Sequence, residues 1–147
     1  MENLFYEPIQ IFDTTLRDGL QACELNLFPY ERLEIAKDLV TLGVDIIEAG
    51  FASSSPGNFR AVNLIAQELG RDATICSLTR ADHEEIEEAA RAIEPAEKKR
   101  IHTFIATSDI HIEKKLTSTR EKVMEKAVSA IEKARQYVDE VQFSLED

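Results

Sequence analysis

The sequence predicts an α/β fold on a parallel sheet, of the (β/α)8 TIM-barrel type and incomplete, with about four βα units plus a fifth strand. Three observations predict it. Short apolar runs alternate with longer segments whose apolar residues recur at helical spacing, the pattern of right-handed βαβ units. These units recur with no Gly-rich dinucleotide fingerprint after the first strand. Polar residues also gather where strands end: Arg17 and Asp18, Glu48, Arg80, Thr107 and Ser108, then Ser144 and Glu146. A barrel carries its chemistry at the C-terminal ends of several strands, whereas a doubly wound sheet concentrates it at one switch point. A full barrel takes eight strands and ~250 residues, more than a chain of 147 provides.

Each element has its own signal. Residues 1–8 are weakly patterned and read as a leader, and 9–147 as the N-terminal half of a barrel domain. Ile9 to Asp13 is the first strand. Pro29 to Leu42 is a helix with Pro29 in its first turn, Leu33, Ala36, Leu39 and Val40 on one face, and Gly43 at the C′ position. Val44 to Phe51 is the second strand, Pro56 to Leu69 a helix closed by Gly70, and Ala73 to Leu78 the third strand. Ala81 to Ile93 is a helix with an acidic outer face, and Arg100 to Thr107 the fourth strand. Ser118 to Val138 is a long helix with Val123, Ala127, Val128, Ile131, Ala134 and Val138 as its stripe. Val141 to Ser144 begins the fifth strand.

Composition narrows the partners. A net charge of -11 argues against nucleic acid or an anionic membrane, since both need a basic face. Local Arg and Lys can still receive a small anion. No apolar run is long enough to span a bilayer and no signal peptide is evident. Cys23 and Cys76 form no disulfide framework, which points to a reducing cytoplasm. Cys76 lies in an apolar run and reads as core.

The run Phe12-Asp13-Thr14-Thr15-Leu16-Arg17-Asp18-Gly19-Leu20-Gln21 is the most informative. An apolar strand runs into an Arg-Asp pair and a glycine. Adjacent side chains on a strand point to opposite sides unless the backbone turns, a freedom expected of Gly19. The pair reads as a cation and a carboxylate at a strand mouth, or as a surface ion pair closing a βα turn.

Four segments together resemble the α-isopropylmalate synthase family of metal-dependent Claisen-condensing barrels: FDTTLRDGLQ, LGVDIIEAGFASSSPGNF, RIHTFIATSDIHIEKKL and VQFSLED. They run in family order and span nearly the whole chain from Ile9. The resemblance implies an acyltransferase that condenses acetyl-CoA with a 2-oxo acid, 2-oxoisovalerate, in leucine biosynthesis. It implies a divalent cation, Mg or Mn, that polarises the ketone oxygen as a Lewis acid. Asp18 would then be a hard carboxylate ligand, and Arg17 would stabilise charge on the reacting oxygen. Glu48 would hold Arg17, and Glu146 would move a proton or position water. His102 and Ser144 would line the oxo-acid pocket, Leu78 would touch the acid's side chain, and Gln21 would donate from behind.

Plainer readings stand beside these. Asp13 and Glu48 could bond backbone amides or pair with a lysine, and His102 could be a satisfied core histidine. His83 and His111 read as solvated, Glu84 to Glu88 as a solvated helix face, and Ser53 to Gly57 as a helix cap with Ser55 at the N-cap and Pro56 at N1. The chain also departs from the family pattern. Leu20 stands where most synthases carry glutamate, as in the related lyases, and Ala22-Cys23-Glu24 lacks the usual Pro-Gly. Gln142 replaces an arginine of homocitrate synthases, which favours a monocarboxylate. The family's other metal ligands, a His-x-His pair and an Asn, fall on later strands, so the ligand set is incomplete here. The expectation is a chain inactive by itself that self-associates or requires the missing barrel half. The alternatives are a related citramalate or homocitrate synthase or lyase, and a non-catalytic barrel fragment that docks on a full-length synthase.

Overall fold

The computed structural model describes residues 9–22 and 26–147. The leader expected over 1–8, and Cys23 and Glu24, lie outside them. Five strands form one parallel sheet in sequential order: β1 (Phe12–Asp13), β2 (Ile46–Gly50), β3 (Thr74–Arg80), β4 (Lys99–Ala106) and β5 (Glu140–Glu146). Helices connect them: α1 (Leu20–Ala22), a single turn, then α2 (Pro29–Thr41), α3 (Pro56–Leu69), α4 (His83–Ile93) and α5 (Arg120–Ala134). The result is a curled half-barrel with an outer layer of helices.

Alternation sorts the strand residues between two faces. Ile47, Ala49, Ile75, Ile101 and Ile105 pack against Val62, Ile65, Ile86, Ile93, Val123 and Ala127 of the helices, forming the main core. The opposite face carries Glu48, Cys76, Leu78 and His102. Small residues on α4 (Ala89, Ala90, Ala92) and α5 (Ala127, Ala130, Ala134) let these helices sit close.

Caps explain the helix limits. α2 ends as its sequence predicts. Gly43 has φ +86, its N–H donates to the Val40 carbonyl at 3.0 Å, and Val44 N–H donates to Leu39 at 3.1 Å, a Schellman pair. Ser55 accepts from Asn58 N–H ahead of Pro56. α4 starts at His83 rather than Ala81, because Asp82 takes the N-cap and accepts from the N–H groups of Glu84 and Glu85. Thr119 caps α5 in the same way, which trims the expected Ser118–Val138. On α5 the buried stripe is Val123, Ala127, Ala130 and Ala134, with Val138 buried beyond its end, while Val128 is exposed. Gly70 is used for close approach: a Cβ there would collide with Ala96 and the Ala66 carbonyl.

Candidate active site

The strand-one motif ends in a wide turn, Thr15–Gly19, of π-helical form. The Thr14 carbonyl accepts from the N–H groups of Arg17, Asp18 and Gly19 at 3.1, 2.8 and 3.2 Å. This turn re-aims the Arg-Asp pair. Gly19 does not: its φ is not positive, and a Cβ there would meet only Thr15 at ordinary contact distance. Leu16, buried, anchors the turn, and Asp13 accepts from Thr15 N–H at 2.9 Å, so Asp13 holds backbone.

From this turn a continuous polar network crosses the open face of the half-barrel. Arg17 Nη1 donates to Asp18 Oδ1 at 2.9 Å, and Arg17 Nε donates to Glu48 Oε2 at 2.6 Å. Glu48 is 0% exposed, yet both its oxygens are used, because Oε1 lies 2.6 Å from His102 Nδ1. His102 Nε2 in turn lies 2.7 Å from Ser144 Oγ. A carboxylate only accepts, so Nδ1 carries the proton; in the neutral ring Nε2 then accepts from the Ser144 hydroxyl. The network draws on the first turn, β2, β4 and β5. A register shift between Glu48 and Gly50 marks the end of β2, the kind of irregularity that re-aims side chains.

A carboxylate this deep is tolerable only when paired and hydrogen-bonded. Arg17 neutralises it, and the imidazole N–H satisfies its other oxygen. Phe12 meets the His102 ring edge-on, with centroids 6.0 Å apart. Cys76, fully buried near Glu48, has its thiol pushed well above the ordinary 9.0, first by burial and then by that carboxylate. It is a core thiol.

The network borders a cleft of about 340 Å³ lined by Arg17, Gln21, Phe51, Leu78, His102, Phe104, Ser144 and Glu146. The cleft therefore gathers Arg17, Gln21, Leu78, His102, Ser144 and Glu146, with Glu48 behind the wall. Glu146 is exposed, and Lys115 Nζ approaches its Oε2 at 3.3 Å. Asp18 stands at the rim, 67% exposed at its side chain. The described residues contain no group of three or more His, Cys, Asp or Glu able to hold a metal ion. They do not assemble a cation shell around Asp18.

Sequence reasoning missed several contributors. Phe51 and Phe104 supply apolar wall, and Phe12 orients the histidine. The in-facing parity of Phe104 with His102 on one strand is the signal that could have found it. Arg80, a strand-end candidate, is drawn outward onto Glu85, whose hydrogen bond raises its pKa. His83 is exposed and meets Ser129 at 2.9 Å. His111 is not merely solvated: it is half-buried, with Nδ1 3.0 Å from Ser108 Oγ and 2.8 Å from Asp147.

A larger cavity, about 790 Å³, opens at the other end of the strands among Asp45, Asp72, Lys98, Lys99, Arg135 and Glu140. It has charges of both signs and, among the described residues, no comparable network. In barrels that end serves stability, and chemistry sits at the C-terminal mouth. No helix among the described residues is long and apolar enough to cross a membrane.

Comparison with known proteins agrees with this architecture. The HMGL-like family model matches residues 8–147. The chain is 52% identical over 141 residues to a 2-isopropylmalate synthase of Chromobacterium violaceum, covering 96% of this chain and 27% of that protein. It is 55% identical over 141 residues to the synthase of Aquifex aeolicus, with the same shares covered. For a Nostoc species the identity is 56% over 143 residues, 96% of this chain and 27% of the relative. The chain thus spans about a quarter of the length of these curated relatives. On the match across nearly its whole length, the chain belongs to the HMGL-like family.

Proposed function

We propose that residues 9–147 form the first half of the catalytic barrel of a 2-isopropylmalate synthase, a cytoplasmic acyltransferase of leucine biosynthesis that joins acetyl-CoA to 2-oxoisovalerate. The observation that carries this reading is the Arg17–Glu48–His102–Ser144 network on the wall of a cleft, in a chain over half identical to such synthases. Arg17 presents a fixed cation to the oxygen that gains charge as the new carbon–carbon bond forms, the most effective place for one. Glu48 keeps that guanidinium in position. Leu78, Phe51 and Phe104 offer apolar wall to the side chain of the oxo acid. Gln142, two residues before Ser144, is neutral and accepts from Arg100 Nη1 at 3.2 Å. In this reading Glu146 moves a proton and Gln21 donates at the rim, both lining the cleft.

The reaction class calls for a divalent cation, Mg or Mn, which supplies Lewis acidity when bound. Asp18 would contribute one oxygen, and the described residues contribute no shell beyond it.

The test is reconstitution. The chain is coexpressed with a polypeptide matching the remainder of the Aquifex synthase, and CoA release is followed with 2-oxoisovalerate, pyruvate and 2-oxoglutarate. Release dependent on 2-oxoisovalerate, and lost on Arg17→Ala, is expected from the complex and not from the chain alone. Dependence on pyruvate or 2-oxoglutarate instead would assign a citramalate or homocitrate synthase. A second reading is a non-catalytic module that docks on a full-length synthase. It is favoured by Met124, Val128 and Leu145, which stand exposed along the β5 side. Copurification with a synthase whose rate is unchanged would select it.

A further inference from the structure

Ser144, His102 and Glu48 stand in the relation of nucleophile, base and orienting acid. Oγ is 2.7 Å from Nε2, and Nδ1 is 2.6 Å from a fully buried carboxylate oxygen. That order of contacts identifies an activated hydroxyl on any fold, whatever the order in the chain. The remaining requirements are nearby. Ser144 and His102 border an open cleft with Arg17, Gln21, and the apolar Phe51, Leu78 and Phe104. The bonds described for Arg17 use Nε and Nη1, which leaves Nη2 to meet an oxyanion.

We propose that Ser144 is a nucleophile toward small activated acyl esters and thioesters, independent of carbon–carbon bond formation. Ser144 Oγ bonds to the carbonyl carbon as its proton passes to His102 Nε2. The oxyanion faces Arg17. The carbon–oxygen or carbon–sulfur bond to the leaving group breaks, and His102 returns the proton to that group, giving acyl-Ser144 and an alcohol or thiol. Water then attacks the acyl carbon, yields its proton to His102, and the carboxylic acid leaves as Oγ regains a proton. No electrons are exchanged and water is the sole co-reactant. Glu48 is the positioning residue: it fixes the proton on Nδ1 and faces the imidazolium as it forms. Its charge is shared with Arg17, so acceleration below that of a dedicated hydrolase is expected.

The experiment uses the 147-residue chain with an alkyl fluorophosphonate, a probe that phosphonylates activated serines, read by intact mass and peptide mapping. One adduct on Ser144 is expected, absent in Ser144→Ala, with labelling slowed on the order of a hundredfold in His102→Gln. Glu48→Gln is expected to slow labelling while moving the His102 proton toward Nε2, read from imidazole ¹⁵N shifts. No adduct, adducts spread over surface serines such as Ser108, or a Ser144 rate indifferent to His102→Gln would overturn the proposal. Mapping on the unsubstituted chain decides the matter even where the His102 variant does not fold. The result is separable from the synthase reading, because Ser144 can be labelled whether or not the reconstituted complex responds to an oxo acid.

Discussion

Glu48 Oε1 lies 2.6 Å from His102 Nδ1, although 54 positions separate the two residues in the chain. Two strands that are not neighbours in the sheet, β2 and β4, supply them. The bond passes over β3, whose middle sends Cys76 and Leu78 to that face. Two small or apolar residues in the middle strand thus leave room for an ionic link between the strands on either side.

Removing Glu48 should be costly. Glu48→Ala leaves Arg17 and His102 without their shared acceptor, and breaking a buried pair costs ~3–5 kcal/mol. The Arg17 side chain keeps 19% exposure, so the lower end of that range is expected. Glu48→Gln should cost less, since it preserves shape. Urea denaturation of both variants checks the order, and equal stabilities would contradict the pairing described.

Thr103 offers the opposite outcome. Its Oγ1 is buried without a hydrogen-bond partner among the described residues, on the helix-facing side of β4. Valine has nearly the same shape and no hydroxyl to desolvate. Thr103→Val should therefore stabilise by about 1 kcal/mol, seen as a higher denaturation midpoint at unchanged slope.

Gly70→Ala should destabilise strongly. The new methyl would overlap Ala96 and the Ala66 carbonyl, which are backbone or short side chain and cannot swing away. Overpacking of this kind costs roughly 1–3 kcal/mol or more. Gly19→Ala, by contrast, meets only ordinary contacts and should change stability little; calorimetry on the pair separates the two glycines.

Burial raises the Cys76 thiol, so the folded state holds this proton more tightly than the unfolded chain. The corresponding stability is fully present below the unfolded value near 9.0 and declines as pH rises above it toward the folded value. Denaturation midpoints should fall above pH ~9, and less so in Cys76→Ala. Alkylation mapped to Cys76 should also track global unfolding, not native exposure.

Much of the architecture was readable because it rests on local rules. Gly43 after an amphipathic run and Ser55-Pro56 before one fixed two helix boundaries through backbone chemistry that acts over a few residues. The boundaries that moved, at Asp82 and Thr119, moved to residues whose side chains could cap. The site was readable in part. Its residues follow from which polar groups close each strand, but their connections are set by sheet order and twist. Nothing near Glu48 in the chain announces that its second oxygen belongs to His102. The turn at Thr15–Gly19 was also invisible, because its three-way acceptance at the Thr14 carbonyl is independent of the glycine that suggested a bend.

The sequential strand order has a dynamic corollary. Each βα unit touches mainly the unit before and the unit after it, so cooperativity is passed from neighbour to neighbour along the sheet, as in repeat proteins. Amide exchange should be slowest in β3, flanked by paired strands on both sides, and should quicken toward β1 and β5. Opening at either margin would then release one end of the Arg17-to-Ser144 network while the central strand remains closed.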